Sequence, residues 1–263
     1  MFNKKINIKN IKPNTKFIGK NITCLKVTDS TNTLAKNTPC ENGDIFIAET
    51  QTAGKGRMGR EWTSEKKSGI YLSVALMPDI DSLCINQLTL VMGVAVCKTL
   101  KELYKLPFEI KWPNDIVING KKVCGILTEG VIEKNKVLKA IVGIGINVNN
   151  KEFTDELKQK ATSLYILTNK KSEREKIINR FAEIFEQHYL MFINVGIKSI
   201  IEEFKKLSAT INKDVEIIKN NQIIKAYAFD ISENGELMVK KEDGTTLTVN
   251  SGEVSVRGIY GYN

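Results

Sequence analysis

Ala53-Gly-Lys-Gly-Arg-Met-Gly-Arg-Glu-Trp62 packs three glycines, three cations and a tryptophan into ten positions. It follows a strand-like run, Asp44 to Glu49, so its reading decides between a parallel nucleotide-binding fold and another kind of sheet. Gly54-x-Gly-x-x-Gly59 has the spacing of a dinucleotide fingerprint, and Asp79 lies twenty residues beyond it. The residues that follow, Arg60-Glu-Trp-Thr-Ser-Glu-Lys-Lys-Ser-Gly69, make a poor crossover helix. No Gly-Lys is followed by Ser or Thr, so the loop is not a P-loop either. It reads instead as a seat for a ligand that is both anionic and planar. Glycine lets backbone approach a ligand closely. Lys55, Arg57 and Arg60 are suited to a carboxylate or phosphate, and Trp62 offers a flat apolar face.

Outward from the loop, the pattern is of strands and helices in one large and one small unit. Cys24-Leu-Lys-Val-Thr28 reads as a short strand, after which Ser30 or Thr31 caps a helix running through Lys36. Gly69 to Met77 is a strand rich in β-formers and stopped by Pro78, and residues 85–104 are a mostly apolar helix. Strand signals from Phe108 to Val148, with turns at Asn119-Gly120 and near Lys134-Asn135, predict a meander. Ser172 to Phe192 is a helix with Ser172 and Glu175 as a capping box and Ile177, Phe181, Ile184 and Phe185 on one face. His188, the single histidine, shares that face and reads as packed and hydrogen-bonded rather than catalytic. A second amphipathic helix covers about 197–208. From Ile211 the chain turns to short alternating strands, with turns at Asn220-Asn221, Asn234-Gly235 and Asp243-Gly244, which suggests a small barrel. The expected division is 1–208 and 209–263.

Three further segments carry chemistry. Lys111-Trp-Pro-Asn-Asp115 places opposite charges on either side of a proline that redirects the chain, and Lys122 and Gly125 follow beyond the hairpin turn. Its plain reading is a strand end with a local ion pair. In Gly143-Ile-Gly-Ile-Asn147, strand alternation puts Gly143, Gly145 and Asn147 on one face, where the glycines open a flat trough or simply admit a crossing helix. Asn147 offers the donor and acceptor that an adenine edge requires. Asp29-Ser-Thr-Asn32 gives hydroxyl and amide groups near a turn, for a ligand or for a helix cap, and Gln51 adds an amide just before the glycine loop.

Composition narrows the class. No apolar run approaches the ~20 residues of a membrane span, and the N-terminus lacks the apolar core and cleavage site of a signal peptide. Five widely spaced cysteines, never as CxxC, read as reduced and mostly buried thiols of a cytoplasmic protein. One histidine excludes multi-histidine metal sites and disfavours a Ser-His-Asp triad. The net charge of +9 comes mainly from lysines spread along the chain and mixed with 30 acids, which describes a solvated surface better than a nucleic-acid footprint.

Together these segments resemble the biotin protein ligases. Asp29-Ser-Thr-Asn, Gln51-x-x-Gly-Lys-Gly-Arg-x-Gly-Arg-x-Trp62, Lys111-Trp-Pro-Asn-Asp115, Lys122-x-x-Gly125 and Gly143-x-Gly-x-Asn147 follow the family's order, and the match covers about residues 24–260. The resemblance implies an α+β fold: a mixed, mainly antiparallel sheet with packed helices, similar to class II synthetases, plus a small SH3-like C-terminal barrel. It implies two-step chemistry with biotin and Mg-ATP, giving biotinyl-adenylate and then a biotinylated lysine on a biotin carboxyl carrier protein or domain. Ser30, Thr31 and Gln51 are then expected on the ureido ring, with main-chain contacts from Gly54 and Lys55. Arg57 and Lys122 are expected around the carboxylate and phosphate, with Arg60 and Lys111 also on the nucleotide side. Trp62 is expected on adenine, Asn147 at its edge, and Gly125, Gly143 and Gly145 as the trough. The catalytic set is Arg57, Lys111, Lys122 and Asp115, the last orienting a cation or the incoming amine; the Mg2+ ligands are not assigned.

Two departures stand out. Lys55 replaces the family's usual arginine. Only 28 residues precede Asp29, too few for the winged helix-turn-helix of the family's repressors, so no DNA partner is expected. The lack of a long apolar run leaves no membrane partner expected either. By family analogy, an exposed strand from residues 137–148 would serve a twofold dimer, with monomer and homodimer both open. The competing readings are a lipoate ligase of the same superfamily and a biotin-responsive regulatory protein without ligase activity.

Overall fold

A computed structural model describes residues 4–219, 222–251 and 255–258. Its larger part is a seven-stranded sheet of β1 (Ile22–Leu25), β2 (Ile45–Ala48), β3 (Ile70–Leu76), β4 (Glu109–Lys111), β5 (Asp115–Ile118), β6 (Lys121–Glu133) and β7 (Lys136–Ile146). The order across the sheet is β1-β2-β3-β7-β6-β5-β4. Only β1 and β2 run parallel; all other neighbours are antiparallel. The expected meander is therefore present. Its turns are formed by Asn119 and Gly120 at φ 49° and 73°, and by Lys134 and Asn135 at φ 48° and 64°. Paired left-handed residues of this kind match the twist of two antiparallel strands.

Strand alternation gives the sheet two different faces. Ile45, Ile47, Val74, Val142 and Ile144 point into the main core. Against this face pack α2 (Gln87–Tyr104) and, beyond it, α5 (Arg174–Val195) and α6 (Lys198–Leu207). Ser82–Tyr104 proves long and apolar enough to cross a bilayer by length and composition, contrary to the sequence expectation, yet most of it is buried in this fold. The opposite face carries a smaller cluster of Phe46, Ala75 and Ile141 under Ala35 of α1 (Thr31–Asn37). Ser30 is the N-cap residue of α1 but makes no side-chain capping bond. The segment after β7 contains the short α3 (Asp155–Lys158) and α4 (Leu164–Thr168).

The capping box expected on α5 is absent. The helix is capped one residue later: Glu173 is its N-cap, without a capping bond. Glu175 accepts instead from the Asn7 N–H at 2.7 Å, and the Ser172 N–H goes to Asn149 Oδ1 at 2.9 Å. Both groups serve long-range partners that local spacing cannot reveal. The N-terminal segment lies along α5, its backbone N–H groups held by Glu175, Asn179, Glu183 and Glu186. His188 is buried as expected, with Nδ1 donating to the Ile184 carbonyl at 2.7 Å and Nε2 2.9 Å from Glu203 of α6.

The strand expected to line a twofold axis is interior. β7 pairs β6 along its whole length and β3 from Ala140 to Ile146, which leaves no free edge over that stretch. The C-terminal part is a five-stranded antiparallel sheet of β8 (Lys213–Lys219), β9 (Gln222–Ile231), β10 (Leu237–Lys241), β11 (Thr246–Val249) and β12 (Ser255–Gly258). Its order is β11-β10-β9-β8-β12. Among the described residues β11 and β12 do not pair, so the sheet is open where a closed barrel was expected. The Asn220-Asn221 turn lies outside the described residues; Gly235 and Gly244 take up the other two turns at φ 88° and 84°. The cysteines are free, Cys97 and Cys124 buried and the other three half-buried.

Candidate active site

Strand register brings distant motifs into line. Lys111, Asp115, Gly125, Gly145 and Tyr71 are successive partners across β4, β5, β6, β7 and β3. The adjoining row on the same face is Leu127, Gly143 and Ser73, followed by Glu129, Ile141 and Ala75. Over this face, beside α1, lies a small cavity of about 50 Å³. Its lining includes Thr31, Gln51, Arg57, Trp62, Lys122 and Gly145.

The glycine loop folds over the cavity as a narrow hairpin. Gly56 N–H donates to the Arg60 carbonyl at 2.7 Å, Trp62 N–H donates to the Gly54 carbonyl at 2.8 Å, and Lys55 bridges Glu61. A side chain on Gly54 would collide with the Trp62 carbonyl and the Gln51 amide, so this glycine is needed to close the hairpin. The turn delivers Trp62 onto the glycine trough. Its indole occupies the space that side chains on Gly125 and Gly145 would need. The Lys122 ammonium is 5.3 Å from the ring centre. The indole N–H is buried and makes no hydrogen bond, leaving a donor unspent.

One end of the cavity is neutral and polar. Thr31 N–H donates to Gln51 Oε1 at 2.8 Å, and the Thr31 hydroxyl lies 3.2 Å from the same oxygen. That fixes the amide of Gln51, whose Nε2 donates one hydrogen to Ser64 Oγ at 3.0 Å. Beneath Thr31, the fully buried Ser73 reaches both Thr31 Oγ1 and Asn32 Oδ1.

The other end is cationic. Arg57 donates through Nη1 to Asn114 Oδ1 at 3.1 Å and through Nη2 to the Ser251 carbonyl of the C-terminal part. Burial lowers the pKa of its guanidinium against the opposing influence of Asp115, but a guanidinium remains charged. Lys122 forms an ion pair of 2.6 Å with Asp115, both side chains largely withdrawn from solvent. The pocket thus joins a neutral hydrogen-bonding end to a cationic end over an aromatic and glycine floor.

Of the residues singled out in the sequence, Ser30, Thr31, Gln51, Lys55, Arg57, Trp62, Lys122, Gly125, Gly143 and Gly145 line this cavity. Gly54, Arg60, Lys111, Asp115 and Asn147 do not. Asp115 and Lys111 adjoin it through the register row and Lys122, while Arg60 is exposed in the loop. Asn147 is buried and its amide donates to the Thr162 carbonyl at 3.2 Å. Sequence reasoning passed over Asn32, Asn114 and Ser73. The first two stand inside motifs it quoted; Ser73, in an apolar strand, gave as its only signal a polar residue among β-formers. Among the described residues no three His, Cys, Asp or Glu side chains are grouped to hold a metal ion.

Residues 24–147 match the Biotin/lipoate A/B protein ligase family, and residues 210–257 match the Biotin protein ligase C terminal domain. The chain is 38% identical to the Bifunctional ligase/repressor BirA of Bacillus subtilis over 80% of its own length and 65% of that protein's. It is 30% identical to the Biotin--[acetyl-CoA-carboxylase] ligase of Mycobacterium tuberculosis, covering 81% of this chain and 79% of the relative. A solved biotin protein ligase from Aquifex aeolicus, in complex with biotin and ATP, superposes with a TM-score of 0.81 at 34% identity. That likeness covers 91% of this chain and 99% of the other.

Proposed function

This chain belongs to the biotin protein ligase family, and on that premise we propose that it activates biotin with ATP and transfers it to a carrier lysine. The observation that carries the reading is the two-ended cavity: Thr31 and Gln51 at a neutral end, Arg57 and Lys122 at a cationic end, and Trp62 between them on a glycine floor. A bicyclic urea with an acidic tail, joined to a nucleotide, matches that order of chemistries.

In the first step the biotin carboxylate attacks the α-phosphorus of ATP. The new P–O bond forms as the bond to pyrophosphate breaks, giving biotinyl-5′-AMP. Arg57 and Lys122 hold the two anions together, and Asp115 keeps Lys122 in place; preorganised cations stabilise the charge gathering on the phosphoryl oxygens. Lys111 and Arg60 are assigned to the outgoing phosphates, and Mg2+ enters with ATP as part of the substrate. In the second step the neutral amine of a lysine on a biotin carboxyl carrier protein or domain attacks the acyl carbonyl. AMP leaves, the amine loses its proton, and an amide remains. Trp62 and Asn147 are assigned to adenine, Ser30 and the backbone at Gly54 and Lys55 to biotin, and Gly125, Gly143 and Gly145 to the ligand floor.

The reaction is placed in the cytoplasm, with residues 1–208 as the catalytic unit and 209–263 as a small accessory unit; monomer and homodimer are both compatible with it. Incubation with biotin, Mg-ATP and a biotinyl carrier domain tests the reading. Pyrophosphate release and the mass of one biotinyl group on one lysine are expected. Transfer of lipoate in preference to biotin, or biotin binding without turnover, would overturn it.

A further inference from the structure

A chain of side chains beneath Thr31 determines which way its hydroxyl points its proton. It starts at Glu129 on β6, whose Oε2 lies 2.7 Å from Asn32 Nδ2. A carboxylate only accepts hydrogen bonds, so Asn32 must turn its NH2 toward Glu129 and its carbonyl the other way. That carbonyl, Oδ1, is 2.6 Å from Ser73 Oγ. Two oxygens at this distance need a proton between them, and only the serine has one. Ser73 therefore donates to Asn32. Its single proton is then spent, and across the 2.8 Å contact with Thr31 Oγ1 it serves as an acceptor. By the same requirement Thr31 donates its proton to Ser73 Oγ across the 2.8 Å contact, and the longer 3.2 Å contact with Gln51 Oε1 carries none. What Thr31 keeps for the cavity is a lone pair.

Burial makes this direction costly to reverse. Ser73 is 0% exposed, Thr31 and Asn32 4% each, so no solvent shell is at hand to repair a mismatched bond. Gly143 completes the arrangement, since a side chain there would collide with the Asn32 carbonyl amide and push it out of line.

We infer that Glu129, acting through Asn32 and Ser73, fixes Thr31 as a hydrogen-bond acceptor and thereby selects a ligand headgroup that presents an N–H. Glu129, Asn32 and Ser73 are positioning residues in this scheme, and the inference deepens the biotin reading, on which it rests. A ureido N–H satisfies Thr31, whereas a ring oxygen or a sulfur in its place confronts a lone pair with a lone pair.

The test measures binding of biotin, and of a cyclic carbonate analogue whose ring oxygens replace both ureido N–H groups, to the full chain by calorimetry. The unaltered protein should favour biotin by about 100-fold, the scale of a buried acceptor left unpaired. Glu129→Leu frees Asn32 to flip and Ser73→Ala cuts the chain; in each the preference should fall to below about tenfold. Each should also raise the KM for biotin with little change in kcat. Glu129→Gln retains an acceptor and should keep most of the preference. Full preference in both Glu129→Leu and Ser73→Ala overturns the inference; should the leucine variant fail to fold by circular dichroism, Ser73→Ala decides by the same ratio. Failure of the unaltered protein to bind biotin at all would instead remove the biotin reading, and this inference with it.

Discussion

The ammonium of Lys122 and the carboxylate of Asp115 meet at 2.6 Å, and the same ammonium faces the ring of Trp62. The pair links three motifs that are far apart in sequence. Asp115 belongs to the Lys-Trp-Pro-Asn-Asp segment, Lys122 follows the hairpin turn, and Trp62 closes the glycine loop. The bland sequence reading of Asp115, a strand end with a local ion pair, is true of its geometry; the pair also aims a cation at the cavity.

Lys122→Met should lower biotin-dependent pyrophosphate release by about 100-fold, since it removes a preorganised cation from the reacting anions. It also strands Asp115 in a mostly buried place, which should cost about 1–3 kcal/mol, less than for a fully buried pair. Asp115→Asn leaves the cation but loosens it, and should cost only about tenfold in rate. A lysine variant that releases pyrophosphate at the normal rate would strike Lys122 from the catalytic set.

Arg57 is clasped by Asn114 and by the Ser251 carbonyl, so its position depends on both parts of the chain. Arg57→Gly removes the clamp on the adenylate. Reactive biotinyl-AMP should then escape and label bystander lysines, read as biotin spread over unrelated proteins in a mixture. Asn114→Ala removes one of these acceptors and should leak less. Labelling confined to the carrier lysine by the Arg57 variant would count against the clamp.

Much of this fold could be read from the chain, because strands β3 and β7, helices α2, α5 and α6 and the two hairpin turns each carry a strong local pattern. The row from Lys111 through Asp115, Gly125 and Gly145 could not, since register joins residues with no local signal of being neighbours. Capping on α5 was misread for the same reason: Glu175 had a suitable neighbour in sequence and a better one in the N-terminal segment. The site residues that sequence passed over, Asn32, Asn114 and Ser73, act by holding other side chains. Their identity gives no hint of that until the partners are in place. Barrel closure was also beyond the pattern, because alternation describes each strand but not which edges meet.

Gly145→Ala tests whether the glycine trough exists for the indole. A methyl group there enters the space of Trp62, and relieving the clash should expose the ring or shift the loop, at about 1–3 kcal/mol. The chain has two tryptophans, and Trp112 is 1% exposed with its N–H on the Gly235 carbonyl. A fluorescence change on this substitution therefore reports Trp62. A red shift is expected, together with weaker ATP binding; an unchanged spectrum would mean that the trough tolerates both.

Glu186 gives a prediction that depends on pH. Its carboxylate accepts from three consecutive backbone N–H groups, those of Lys16, Phe17 and Ile18, at 2.6, 2.8 and 2.9 Å. Burial disfavours the charge, yet these three donors outweigh it and hold the carboxyl below its ordinary value. A carboxyl depressed by folding stabilises the folded state above its unfolded pKa, and that stabilisation disappears as pH falls through the folded value. Glu186→Gln should therefore cost about 1–3 kcal/mol at neutral pH. The gap between variant and unaltered protein should narrow from about pH 4–5 downward. Thermal melts of both proteins across that range check the sign. A gap that is constant with pH would mean that the N-terminal segment is held by packing on α5, through Ile11 and Ile18, rather than by the charge of Glu186.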